Sequence, residues 1–137
     1  MKEFTTEATL ENIRAVTAFV DGELERMKCP LPAQMQINIA IDEIMGNIVH
    51  YAYGADIGPI TVCVDNPENA ASVEILFIDR GMPYNPLENR EPDITLPVGE
   101  REIGGLGIFI VKKIMDEVSY VFKDGQNHLK IRKNIVS

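Results

Sequence analysis

The sequence predicts an α+β fold: a two-layer α/β sandwich with its helices on one face of a mixed, mainly antiparallel sheet. Three observations lead there. Apolar residues recur at helical spacing in three separate segments and alternate at strand spacing in others. In chain order these read strand, helix, helix, strand, strand, long loop, helix, strand, strand, which groups the helices instead of interleaving them one for one. Finally, 137 residues suffice for one cored domain, and no linker, repeat or low-complexity tract divides them. One domain over residues 1–137 is therefore expected.

Lys2 to Thr9 reads as an edge strand. Leu10, Ile13, Val16, Thr17, Val20 and Leu24 then share one helical face, through about Met27. Cys29-Pro30-Leu31-Pro32 ends that helix and starts the next, because proline is tolerated in a first helical turn. Ile37, Ile41, Ile44 and Ile48 give the second helix a narrow apolar stripe. Ile60 to Asp65 and Val73 to Asp79 read as strands joined by a turn at Asn66 to Asn69. Asn85 to Arg101, with Pro86, Pro92 and Pro97 among acidic residues, has neither period, and so long a loop in a compact domain suggests function or disorder. A third helix is expected from about Leu106 to Asp116. A hairpin follows, Val118 to Lys123 and His128 to Ile135, turning at Asp124-Gly125.

Bulk properties exclude several classes. A net charge of −8 opposes non-specific nucleic-acid binding, which needs the opposite field. Cys29 and Cys63 form no CxxC pair, and His50 and His128 have no Cys/His cluster around them, so neither a redox motif nor a zinc site is expected. Cys63 reads as a small core residue. No stretch approaches the ~18 apolar residues of a membrane span, and the N-terminus lacks a leader-like apolar run. The cytoplasm is the expected location.

Three short motifs carry chemistry. At about 100° per residue, Glu43, Asn47 and His50 fall on one flank of the second helix's apolar stripe. An Asn carbonyl is a hard oxygen suited to Mg²⁺, and a carboxylate one turn away can take a proton from an attacking hydroxyl. The same spacing also suits a solvated polar flank. Next, the strand ending at Asp79 is followed by Arg80-Gly81. A carboxylate there can accept from an exocyclic amine such as adenine presents, and Gly81 removes a side chain where a planar base would press. An ordinary strand-ending turn has the same composition. Last, Gly104-Gly105-Leu106-Gly107 opens an apolar helix. Free N–H groups without Cβ obstruction bind phosphate there, unless the run is only a hinge. It is not a Walker loop, since no Gly-Lys-Ser/Thr follows. Together the three describe a nucleotide cleft, with the long loop before the third as its cover.

These motifs resemble the Bergerat-fold ATP-binding superfamily of gyrase, the heat-shock chaperone, mismatch-repair proteins and histidine kinases. More closely, the chain is similar to the stand-alone anti-sigma-factor serine kinases of bacteria, through Glu43-x-x-x-Asn47, Tyr51-Ala52-Tyr53, Asp79-x-Gly81-x-Pro83-Tyr84-Asn85-Pro86, Gly104-Gly105-Leu106-Gly107 and Met115-Asp116-Glu117-Val118. The resemblance covers nearly the whole chain. It implies ATP and Mg²⁺ as cofactors, Asn47 as metal ligand and Glu43 as catalytic base. It further implies Asp79 and Gly81 at the adenine, Gly104, Gly105, Leu106 and Gly107 at the phosphates, and an ATP lid from about Glu88 to Ile103. The implied substrate is a serine on a STAS-domain anti-sigma-factor antagonist, in a partner switch that also involves a sigma factor and usually a homodimer. Two positions depart from the pattern. Tyr51 stands where several relatives carry His, and Gln126-Asn127-His128 replaces nucleotide-contacting Thr residues, with Asn127 a substitute contact. Arg101 could neutralise phosphate charge or be a solvated lid residue. Two other readings share these residues: an ATP-gated binding module without catalysis, and a detached histidine-kinase ATPase domain, for which neither His50 nor His128 is suitably placed.

Overall fold

A computed structural model of the chain describes residues 1–54, 56–67, 71–88 and 105–135. The elements are β1 (Lys2–Glu7), α1 (Ile13–Arg26), α2 (Leu31–Tyr51), β2 (Pro59–Asp65), β3 (Ser72–Asp79), a short 3₁₀ turn at Pro86–Glu88, α3 (Gly105–Ile114), β4 (Glu117–Lys123) and β5 (Gln126–Asn134). The five strands form one sheet in the order β1-β2-β3-β5-β4. Every pairing in it is antiparallel, whereas the sequence suggested a mixed sheet. The α3 crossover does bring β4 parallel to β3, but β5 inserts between them and pairs antiparallel with both.

The helices cover one face. Alternation in β3 buries Val73, Ile75 and Phe77 on that face, with Ile60, Val62 and Val64 of β2 and Leu129 and Ile131 of β5 beside them. Against these pack Val16, Val20 and Leu24 of α1, Ile37, Ile41, Ile44 and Ile48 of α2, and Ile108 and Val111 of α3. Each such side chain contributes about 1.5–3 kcal/mol on leaving water. Leu10 does not join them. It precedes α1 in a turn closed by Asn12 N–H to Thr9 O (3.1 Å) and is 60% exposed. Cys63 is buried, but on the sheet's other face, where its thiol donates to Glu3 (3.8 Å).

The join between α1 and α2 fixes the site helix. Lys28 takes a left-handed φ of 57°, so its N–H reaches Glu25 O (3.1 Å) and that of Cys29 reaches Leu24 O (3.0 Å), which satisfies two carbonyls at the end of α1. Asp21 then accepts from Gln34 (3.0 Å) and Asn38 (2.8 Å), locking α2 beside α1. No helix among the described residues is long and apolar enough to cross a membrane.

Candidate functional site

A cleft of about 440 Å³, open to solvent, lies between α2 and the β3–β5–β4 end of the sheet. Ile44, Ile48 and Tyr51 of α2 form one wall, and Leu129 and Tyr120 of the sheet form the opposite one. Met82, Tyr84 and Pro86, from the segment after β3, make the lip, where the Tyr51 and Tyr84 rings lie 6.1 Å apart. The lining is mostly apolar, with Asp79, Asn127 and Asn47 as its polar groups, a composition suited to a planar heterocycle.

Asp79 is 6% exposed, and it can be buried because its surroundings are arranged for it. Its Oδ1 accepts from the Gly81 N–H (2.9 Å) and from Asn127 Nδ2 (2.9 Å). No donor among the described residues reaches Oδ2, so one carboxylate oxygen is fixed and the other keeps its acceptor capacity. Asn127, 5% exposed, is engaged on all sides. Nδ2 also donates to Met82 O (2.9 Å), while Oδ1 accepts from Tyr84 N–H (3.2 Å) and the Tyr120 hydroxyl. The sequence reading offered Asn127 as a direct nucleotide contact. Folded, its polar atoms hold the Asp79 carboxylate and the 82–84 turn in place.

Tyr53, in the turn after α2, braces the same turn from the other side. Its hydroxyl donates to Pro59 O (2.5 Å) and accepts from Arg80 N–H (2.7 Å), a double role that needs the neutral phenol. Burial pushes its pKa up, which preserves that form. A Cβ on Gly58 would fall 2.3 Å from the Tyr53 ring, so glycine there makes room for the brace. Gly81 likewise answers to packing. A Cβ on it would lie 2.1 Å from Ala52 O and 2.6 Å from Ala52 Cβ, while Met82 N–H already bonds that carbonyl (2.8 Å). Since the obstacle is backbone, Gly81→Ala is expected to destabilise the fold by about 1–3 kcal/mol. A thermal melt checks this, and an unchanged midpoint would mean the turn moves freely from α2.

The cleft side of α2 runs Ile44, Asn47, Ile48, Tyr51. His50, which sequence spacing grouped with Asn47, is exposed and does not line the cleft. It lies about 60° round the helix from Asn47, away from Ile44 and Ile48, at 100° per residue. Glu43 flanks the cleft beside α3. Its Oε2 lies 2.2 Å from where a Cβ on Gly107 would stand, so the carboxylate rests against the first turn of α3. A helix start favours a negative group there. Gly105, Leu106 and Gly107 form that first turn, whereas Arg101, Gly104 and nearly all of the expected lid lie outside the described residues. Among the described residues no three His, Cys, Asp or Glu side chains gather as a metal cluster.

Residues 6–133 match the model of the family described as the histidine kinase-like ATPase domain. The chain belongs to this family. Within the histidine kinase-like ATPases it is 28% identical over 131 residues to the serine-protein kinase RsbW of Bacillus mycoides, an alignment covering 93% of this chain and 81% of that protein. The serine-protein kinase RsbW of Bacillus thuringiensis matches to the same extent. Among solved structures, the RsbU and RsbW domains of Rv1364c from Mycobacterium tuberculosis superpose with a TM-score of 0.65 at 16% identity. That superposition covers 98% of this chain but 33% of the solved one, so the chain spans about a third of that protein and the likeness concerns the fold.

Proposed function

We infer that this protein is an anti-sigma regulatory factor with ATP-dependent serine kinase activity, which phosphorylates a STAS-domain anti-sigma-factor antagonist in the cytoplasm. The observation that carries this reading is Asp79: a buried carboxylate at the base of an apolar cleft, one oxygen pinned by Gly81 and Asn127 and the other left to accept from an adenine amine. Kinship with proteins named serine-protein kinases supports a serine as acceptor.

In this reading the apolar walls of Ile44, Ile48 and Leu129 bind the base, and Tyr51 and Tyr84 close the lip over it. The N–H groups of Gly105 to Gly107 in the first turn of α3 hold the phosphates, and the sequence adds Gly104 and Arg101 to the same role. Asn47 fits a cation that takes most of its ligands from phosphate and water, since its side chain lines the cleft and no acidic cluster gathers among the described residues. Mg²⁺ held there supplies charge neutralisation for the transferred group. Glu43 accepts the serine proton as the serine oxygen bonds the γ-phosphorus and the bond to the ADP oxygen breaks. Such transfer depends mainly on positioning and charge, so this small set of groups suffices. The sigma factor is the other partner, bound when the antagonist is phosphorylated, and the working unit is a homodimer.

Incubation with γ-labelled ATP, Mg²⁺ and a candidate STAS-domain antagonist tests the reading. Label on an antagonist serine is the expected result. Tight ATP binding with no label on any antagonist tried would leave a binding module gated by ATP.

A further inference from the structure

Gly22 of α1 and Gly46 of α2 face open space, since a Cβ added to either would meet no atom within 4 Å. Gly107 of α3 differs. It is buried, and the three atoms nearest to an added Cβ all belong to Glu43: Oε2 at 2.2 Å, Cδ at 3.1 Å and Cβ at 3.7 Å. The Glu43 side chain thus runs along the bare flank of Gly107 from its root to its carboxylate.

Among the described residues Glu43 makes no hydrogen bond and no ion pair. A glutamate has several rotatable bonds, and without a polar anchor the shape of the wall decides its rotamer. A Cβ 2.2 Å from Oε2 lies far inside van der Waals contact, so any larger residue at 107 must turn the carboxylate away. The backbone does not demand glycine here. Gly107 is helical and is not among the glycines with positive φ, and alanine is the better helix former. Its N–H, the group that binds phosphate, would survive in alanine, whose side chain would point at Glu43.

We propose that Gly107 is a positioning residue for phosphoryl transfer: its missing side chain is the seat that holds the Glu43 carboxylate where it takes the serine proton. The proposal rests on the reading of Glu43 as the base. Its physical basis is the steep dependence of proton transfer on placement, where an error of about 1 Å costs about a hundredfold in rate.

Gly107→Ala tests it, with Gly22→Ala as the control at an exposed helical glycine. Single-turnover transfer to the antagonist should fall at least about tenfold in Gly107→Ala and stay near wild type in the control. ATP affinity and the thermal midpoint should hold, because only the end of a flexible side chain must move. Glu43→Asp completes a cycle. Aspartate is one methylene shorter and vacates the place of Oε2, so adding Gly107→Ala to it should cost less than about twofold. The carboxyl carbon resonance of Glu43 gives a readout that needs no kinase activity. It should shift in Gly107→Ala and stay in place in Gly22→Ala. An unmoved resonance, equal losses with and without Glu43→Asp, or a fall in ATP affinity that accounts for the whole loss of transfer would overturn the proposal alone. A wild type that labels no antagonist, with the resonance still displaced by Gly107→Ala, would instead overturn the kinase reading, and the positioning role with it.

Discussion

Asp79→Asn is expected to lower ATP affinity about a hundredfold, roughly 3 kcal/mol, while the domain stays folded. The substitution keeps an oxygen where Oδ1 now accepts from Gly81 N–H and Asn127 Nδ2, so the turn after β3 retains both bonds. What changes is the other position, where an NH₂ replaces the acceptor Oδ2. In a site this buried, 6% exposed at Asp79, two donors facing each other lose a bond and leave both groups desolvated. The exchange also gives a sharper readout than affinity alone. Inosine triphosphate carries an oxygen where ATP carries the amine, so the variant should lose much less affinity for it. Calorimetric titration with both nucleotides checks this. Equal losses for the two would remove amine recognition from Asp79 and leave it a structural role.

Glu43→Gln is expected to cut phosphoryl transfer to the antagonist by at least about a hundredfold, the usual range for a general base. ATP affinity should hardly change, since Glu43 lies against the α3 turn and does not line the apolar cleft. Glutamine keeps the length and the contact with Gly107, so the packing of α2 on α3 survives and the lost function is the proton acceptor. Single-turnover transfer measured beside ATP binding separates the two effects. Undiminished transfer would take Glu43 out of the chemistry, and the helix-start contact would then be its whole role.

Much of this architecture was legible in the residues. The strand over Val73 to Asp79, the helix ending at Tyr51 and the hairpin at Asp124-Gly125 all form within a residue or two of where periodicity and turn chemistry place them. These are local signals: strand alternation, helical spacing, and a turn in which both central residues take φ near +54° and +74°. The site was legible as a set of parts, because an Asp-x-Gly turn, an acidic and amide pair one helical turn apart, and a glycine run opening a helix each have their own chemistry.

The reasons behind those parts were not legible. Glycine at 81 looked like room for a base, yet what its missing Cβ clears is the carbonyl of Ala52, 29 residues earlier in the chain and adjacent only once α2 docks on the sheet. Gly107 looked like a phosphate glycine alone, yet it also leaves the space that Glu43 occupies. Tyr53 and Asn127 gave no sequence signal of their shared task, because the bonds that define it, Arg80 N–H to the Tyr53 hydroxyl and Asn127 Nδ2 to Asp79, join segments 27 and 48 residues apart. The sequence by itself determined the elements, their order and the chemical groups at their ends, since these follow from dihedral preferences and side-chain period. Only the tertiary structure decided that β5 lies between β3 and β4 and that Gly81 and Asn127 hold the same oxygen of Asp79. Those facts depend on which distant surfaces meet, and that is fixed when the core closes.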